Sequence, residues 1–157
     1  STPITPGATG TGSGTLWSTK DGAAIYGDIV LLYGQLKSQM RGVVDRDAEM
    51  ILAMSPEIEV NLTKTNQYNV NVTDQLKKNF PNMRIESAVE YNTAGGQLVQ
   101  MILRSVDGQP VAQTGFTEKM RAHPVKVELS SFQQKKSSGT WGCIIRLPIG
   151  IAGLLGV

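Results

Sequence analysis

His123 is the only histidine and Cys143 the only cysteine in this 157-residue chain, and each limits the chemistry that could be built. A metal centre made of several imidazole or thiolate ligands has no such set to draw on. A serine nucleophile using His123 as its base would need positioning, yet no Gly-x-Ser-x-Gly elbow occurs, and His123 precedes Pro124 in a stretch that reads as loop. The paired carboxylates Asp45/Asp47 and Glu57/Glu59 stand beside the starts of elements, where capping and the helix dipole account for them. Cys143 lies in an apolar run and reads as a small core hydrophobe rather than a reactive thiol. Gly10, Gly12 and Gly14 are not followed by the Lys-Ser/Thr pair of a phosphate loop. These residues predict no enzyme, no cofactor and no metal.

Charge is the stronger signal. Residues 1–118 hold 9 basic and 12 acidic groups, whereas residues 119–157 hold six basic groups (Lys119, Arg121, Lys126, Lys135, Lys136, Arg146) and one acidic group, Glu128. Such an asymmetry fits contact with an acidic neighbour or nonspecific contact with nucleic-acid phosphates. Only Phe132 and Trp141 are interleaved with the basic residues, and no recognition helix or zinc spacing is present. The tail after Arg146 is uncharged, but it is interrupted by Pro148, Gly150, Gly153 and Gly156 and falls short of the roughly 20 residues of a membrane span. It is expected to pack on the chain's own sheet or to be covered by a neighbour. A single cysteine excludes an internal disulfide, and no secretory signal is visible.

The elements that would position these groups can be read from periodicity. Residues 1–16 are Gly, Thr, Pro and Ser and read as a flexible arm or linker. A helix follows, with Ser18 and Asp21 at capping-box spacing, and Ile25, Ile29, Leu32, Leu36 and Met40 on one face; Gly42 is its stop. Met50–Met54 is apolar on both faces, as an interior strand would be, and Ser55-Pro56 opens a helix. A polar loop, Lys64–Asn71, leads to a second short helix near Thr73 that Pro81 stops. Residues 83–91 read as a strand with Met83, Ile85 and Val89 on one side, and residues 97–106 as a central strand ending at an Asp107-Gly108 turn. The last section predicts two strands, 125–130 and 140–147, with Trp141, Cys143, Ile145 and Leu147 sharing a face and Ser137-Ser138-Gly139 as their connector. This order gives an α+β (mixed α/β) sandwich with a mixed sheet.

The run from Phe116 to Val157, with Met50–Asn66 and Leu76–Tyr91 upstream in that order, resembles the C-terminal half of tailed-bacteriophage major capsid proteins. It is similar, more narrowly, to a group of phage-related bacterial proteins of formerly unknown function, over about Trp17 to Val157. The resemblance implies the Hong Kong 97-type capsid fold, in which an axial domain with a mixed central sheet flanked by helices joins a peripheral domain. Residues 17–157 would form the axial domain, including C-terminal strands that return to the peripheral sheet, with 1–16 as a flexible Gly/Thr/Pro-rich arm or linker ahead of it. No candidate for the family's N-terminal arm, extended loop or spine helix is found, so the chain is expected to be a C-terminal fragment, itself a monomer.

The function implied is that of a structural virion protein, assembled in the bacterial host cytoplasm, whose copies self-associate as pentamers and hexamers of an icosahedral shell around phage DNA, with no membrane involved. Lys135, Lys136, Arg146 and Trp141 are the candidate residues facing other subunits or DNA. Asn66, Tyr68, Asn92 and Gly95 mark the candidate loops at the capsomer axis. Two alternatives stand beside this reading. One is the shell of a bacterial nanocompartment of the same fold. The other is a small α/β enzyme or binding domain, which a pocket gathering His123, a carboxylate and a hydroxyl would favour.

Overall fold

The computed structural model describes residues 2–157. Two compact units are present: one runs up to Val111 and resumes at Leu147–Val157, and the other is Ala112–Arg146. The first contains α1 (Gly22–Gln39), β1 (Met50–Met54), α2 (Pro56–Glu59), α3 (Val72–Asn79), β2 (Met83–Ser87), β3 (Asn92–Thr93), β4 (Gly96–Leu103) and the small hairpin β5 (Ser105–Val106) and β6 (Gln109–Pro110). The second holds β7 (Ala112–Ala122), β8 (Lys126–Val127), β9 (Phe132–Gln133) and β10 (Lys136–Ile145). The closing strand β11 (Ile151–Leu155) belongs to the first unit again.

The sheet of the first unit is mixed, in the order β11-β4-β1-β2, with β3 folded onto β4. β1 and β2 are parallel, from Met50↔Met83 to Met54↔Ser87, and the helices α2 and α3 make the crossover that parallel neighbours require. β4 runs antiparallel to both β1 and β11, so it and β1 are the interior strands. Their sequences fit that place: Val99, Met101 and Leu103 alternate as buried residues along β4, and Leu52, Ala53 and Met54 are consecutively buried in β1. Asp107 and Gly108 both take positive φ, 48° and 77°, which closes the β5–β6 hairpin.

Helix α1 packs on β4 and β11 and against α3. Ile25, Ile29, Leu32 and Leu36 are fully buried with Met40 close behind, as their spacing predicts, and each such burial contributes about 1.5–3 kcal/mol. The helix starts later than the capping-box reading places it. Asp21 is the N-cap and accepts from the Ala24 amide at 2.9 Å, whereas Ser18 sits in a 3-10 turn, Trp17–Thr19, that buries the Trp17 indole. Gly42 ends the element as expected, with φ 83° and its amide bonded to the Lys37 carbonyl.

The N-terminal residues lie along this unit. The Ile4 amide donates to the Gly153 carbonyl at 2.9 Å and the Leu155 amide to the Ile4 carbonyl at 3.0 Å, so the segment pairs with the outer edge of β11. The apolar tail is thus an edge strand of the chain's own sheet, with Ala152 and Leu154 in the core and the Ile4 segment along its far side.

Four local expectations need correction. Residues 83–91 do not form one strand: β2 ends at Ser87 and a 3-10 turn, Val89–Tyr91, follows, so Val89 is exposed rather than facing the core. Residues 125–130 supply only the two-residue strand β8, paired with Phe132–Gln133. The partner of β10 is β7, and Ser137-Ser138-Gly139 lies inside β10 instead of connecting strands. Cys143 is exposed, because the strand that carries it is not covered.

Candidate assembly surface

The second unit is where sequence and folding stability part company. β7 and β10 form a long antiparallel ribbon, from Lys136↔Ala122 at one end to Ile145↔Ala112 at the other. None of the buried hydrophobic residues falls between Ala112 and Arg146. A two-stranded ribbon with no covered face is marginal in water on its own. Phe116, Met120, Phe132, Trp141, Ile144 and Ile145 are all more than half exposed, Trp141 by 79%. Such residues find no buried place in their own unit, and so many large apolar side chains left exposed on one short ribbon and its hairpin offer surface for another molecule to cover.

The same unit is basic. Lys119, Arg121, Lys126, Lys135, Lys136 and Arg146 stand against Glu118 and Glu128, a formal +4 in a chain whose total is +2. Two of these cations are partly neutralised, Arg121 by Glu118 at 3.8 Å and Lys126 by Glu128 at 3.2 Å, both in solvent where such pairs contribute little. Lys135 and Lys136 lie at the ribbon's turn end, where the Lys135 carbonyl accepts from the His123 amide at 2.9 Å. Arg146 follows the last residue of β10, a strand's length away, about 30 Å at roughly 3.3 Å per residue. The three cations are therefore not one cluster.

Trp141 falls where the pairing shifts register, between Thr140↔Phe116 and Gly142↔Gly115, and Gly142 has φ 86°. An extra residue at such a bulge flips the alternation beyond it. The reading that placed Trp141, Cys143, Ile145 and Leu147 on one face assumed unbroken alternation, which this irregularity interrupts. Phe116 and Met120 were missed because β7 was not assigned. Their signal is faint but present: Thr114, Phe116 and Met120 recur at even spacing among β-favouring threonines.

The two candidate loops are held firmly. In residues 65–71 the Asn66 side-chain oxygen accepts from the Tyr68 and Val70 amides at 2.9 and 3.1 Å, its amide donates to the Val70 carbonyl, and Asn69 takes φ 57°. This Asx turn presents Tyr68 to solvent, 75% exposed. Asn92 and Gly95 lie at the β3–β4 hairpin, Asn92 opposite Gln97 and Gly95 in the two-residue turn, where the Thr93 hydroxyl donates to the Gly96 carbonyl at 2.7 Å. The candidates thus sit on three separate elements.

A catalytic arrangement does not emerge. His123 Nε2 lies 3.1 Å from the Ser137 hydroxyl, which donates to Glu118 at 3.4 Å. The hydroxyl is in the middle of that chain, so the carboxylate does not orient the imidazole, as a serine nucleophile's base requires. Among the described residues no group of three or more His, Cys, Asp or Glu could hold a metal ion, and no helix is long and apolar enough to cross a membrane.

The model of one protein family, described as Pa193 gp26 major capsid protein, matches residues 1–156. No curated protein matches the sequence. Among solved structures the chain is similar to the capsid of Myoviridae phage XM1, with a TM-score of 0.69 and 14% identity over 90% of this chain and 48% of that one. It is also similar to a virus-like particle from Pyrococcus furiosus, with a TM-score of 0.54 and 16% identity over 81% and 50% of the two chains. The Mycobacterium phage Che8 structure gives 0.53 and 10% over 86% and 49%. At these identities the likeness is one of fold, and this chain spans about half the length of the solved chains it matches.

Proposed function

The chain belongs to the Pa193 gp26 major capsid protein family, and from that premise we propose that it is the axial part of a bacteriophage shell subunit whose work is self-association. Copies assemble in the host cytoplasm into pentamers and hexamers of a closed shell. Weak contacts suffice there because symmetry repeats each of them. The observation that carries this reading is the ribbon Ala112–Arg146, which has no buried apolar residue of its own and offers Phe116, Met120, Trp141 and Ile144 to a partner. In this reading residues 17–157 are the axial domain, the ribbon is its return toward a peripheral sheet, and the loops at Asn66–Tyr68 and Asn92–Gly95 approach the capsomer axis. Lys135, Lys136 and Arg146 meet acidic neighbours or the phosphates of packaged DNA.

Electron microscopy of the full-length protein should show closed shells; a soluble monomer under every condition would refute the reading. Charge reversal at Lys135 and Lys136 tests the basic end: assembly or DNA retention should fall, and what remains should depend less steeply on salt. Unchanged shells with unchanged nucleic-acid content would remove that part. The similarity to an archaeal virus-like particle supports a second reading, a shell that encloses protein cargo instead of a genome. Purified particles free of nucleic acid would favour it.

A further inference from the structure

The densest buried polar cluster lies where the N-terminal segment crosses α1. Asp28 is 4% exposed, and among the described residues the side-chain and backbone donors that reach its carboxylate come from upstream of the helix. Its Oδ1 accepts from the Gly7 amide at 2.9 Å, and its Oδ2 from the Trp17 indole N–H at 2.9 Å and from Lys20 Nζ at 2.5 Å. The Lys20 side chain has no exposed surface at all. A second cation grips the same turn from the other side: Lys64 Nζ donates to the Trp17, Ser18 and Lys20 carbonyls at 2.7, 2.8 and 3.0 Å.

Both grips continue into longer segments. Upstream of Gly7, Ile4 pairs with β11 and the Thr2 carbonyl accepts from the Gln35 side chain at 3.1 Å. Downstream of Lys64, the Thr65 carbonyl accepts from the Gly22 amide at 3.3 Å, and the Asx-turn loop begins at Asn66. The start of α1, which follows the turn directly, meets this loop without slack: a Cβ built on Gly22 would lie 2.8 Å from the Lys64 carbonyl oxygen.

We propose that the Trp17–Lys20 turn is a clamp that couples the N-terminal strap, Thr2–Gly14, to the loop Thr65–Val70, with Asp28 and Lys64 as its positioning residues. Removing the Asp28 carboxylate leaves the Trp17 indole and the Lys20 ammonium buried without their acceptor, and removing the Lys64 ammonium takes from the turn the donor that three of its carbonyls share, so strap and loop open together as one cooperative unit. Whatever engages the strap then biases the loop, and the reverse. The clamp goes beyond the assembly reading and holds whether or not Tyr68 faces a capsomer axis.

Hydrogen exchange read by mass spectrometry on the intact chain tests it at positions each ion does not touch. In Lys64→Met, exchange at the Ile4 and Gly7 amides should rise about tenfold, while the Leu52 and Met101 amides of the central strands stay protected, and Lys64→Arg should restore most of the strap's protection. In Asp28→Asn, the Asn66 and Val70 amides should quicken likewise. A Lys64→Met chain whose faster exchange is confined to residues 17–22 and 65–71, with Ile4 and Gly7 at their original rates, overturns the proposal. Should Asp28→Asn fail to fold, Lys64→Met decides alone.

Discussion

Tyr33 donates its hydroxyl to the Val44 carbonyl at 3.2 Å and meets the Phe80 ring edge-on, with centroids 5.1 Å apart. Burial first, and then the negative charge of Asp45, raise its pKa above the ordinary 10.0. A raised pKa means the fold prefers the neutral phenol. The associated stability is therefore complete below pH 10 and disappears as pH climbs through the raised value. Tyr33→Phe should cost about 1 kcal/mol at pH 7 in urea melts, and its deficit should shrink at alkaline pH. A deficit that stays constant above pH 10 would contradict that sign. Glycines give a sharper residue-scale contrast. A methyl on Gly22 meets the Lys64 and Thr65 backbone at 2.8–2.9 Å, which cannot swing aside, so Gly22→Ala should cost about 1–3 kcal/mol. Gly27 lies in the same helix with nothing within 4 Å, and Gly27→Ala should raise stability by about 1 kcal/mol. Thermal melts of the two variants should move in opposite directions.

Helix α1 and strands β1 and β4 were legible in the sequence because burial and periodicity agree in them: Ile25 to Met40 keep one face, and Met50–Met54 and Val99–Leu103 carry interior-strand patterns. The α+β class follows from them. The ribbon was half legible. Its alternation is interrupted by register shifts near Gly139 and Trp141, and β7 has no core to impose a strict apolar pattern, so 112–122 carried little signal. Turn chemistry decided the smaller errors. Val89 fits a strand pattern that stops at Ser87, and the capping reading at Ser18 could not foresee that Lys64, distant in sequence, occupies that turn's carbonyls. The candidate loops were legible as polar, turn-rich stretches, but not the Asn66 bonds that fix Tyr68. An exchange profile of the chain should divide along the same line: amides of β1 and β4 most protected, and those of β7 and β10 opening at far lower cost despite their long ladder, since no apolar burial supports it. Equal protection in both would mean that the ribbon is covered in solution, as by a second copy.

At the scale of the whole molecule the two units differ in what holds them. The first has a contiguous core from Trp17 to Val157, whereas the second contributes no buried apolar side chain to it. The chain leaves the first unit at Val111 and re-enters at Leu147, and these two residues are joined by a backbone bond, Leu147 amide to Val111 carbonyl, at 3.3 Å. The junction is thus already closed, and Gly150 packs tightly on the buried Val111 side chain beside it. Replacing Ala112–Arg146 by a short Asn-Gly turn should leave that core and its sheet register intact, because the excised residues bury nothing the core needs. Loop closure costs little for so near a pair of ends. The excised chain should melt cooperatively within a few degrees of the intact one and keep the near-ultraviolet signal of Trp17, while the full-length protein carrying the same excision should lose the self-association that the ribbon is proposed to provide. Sedimentation velocity on both proteins separates the outcomes. A shortened chain that no longer folds would show that the ribbon stabilises the first unit, and one that folds and still assembles would take the ribbon out of the shell contacts and leave the candidate loops to carry them.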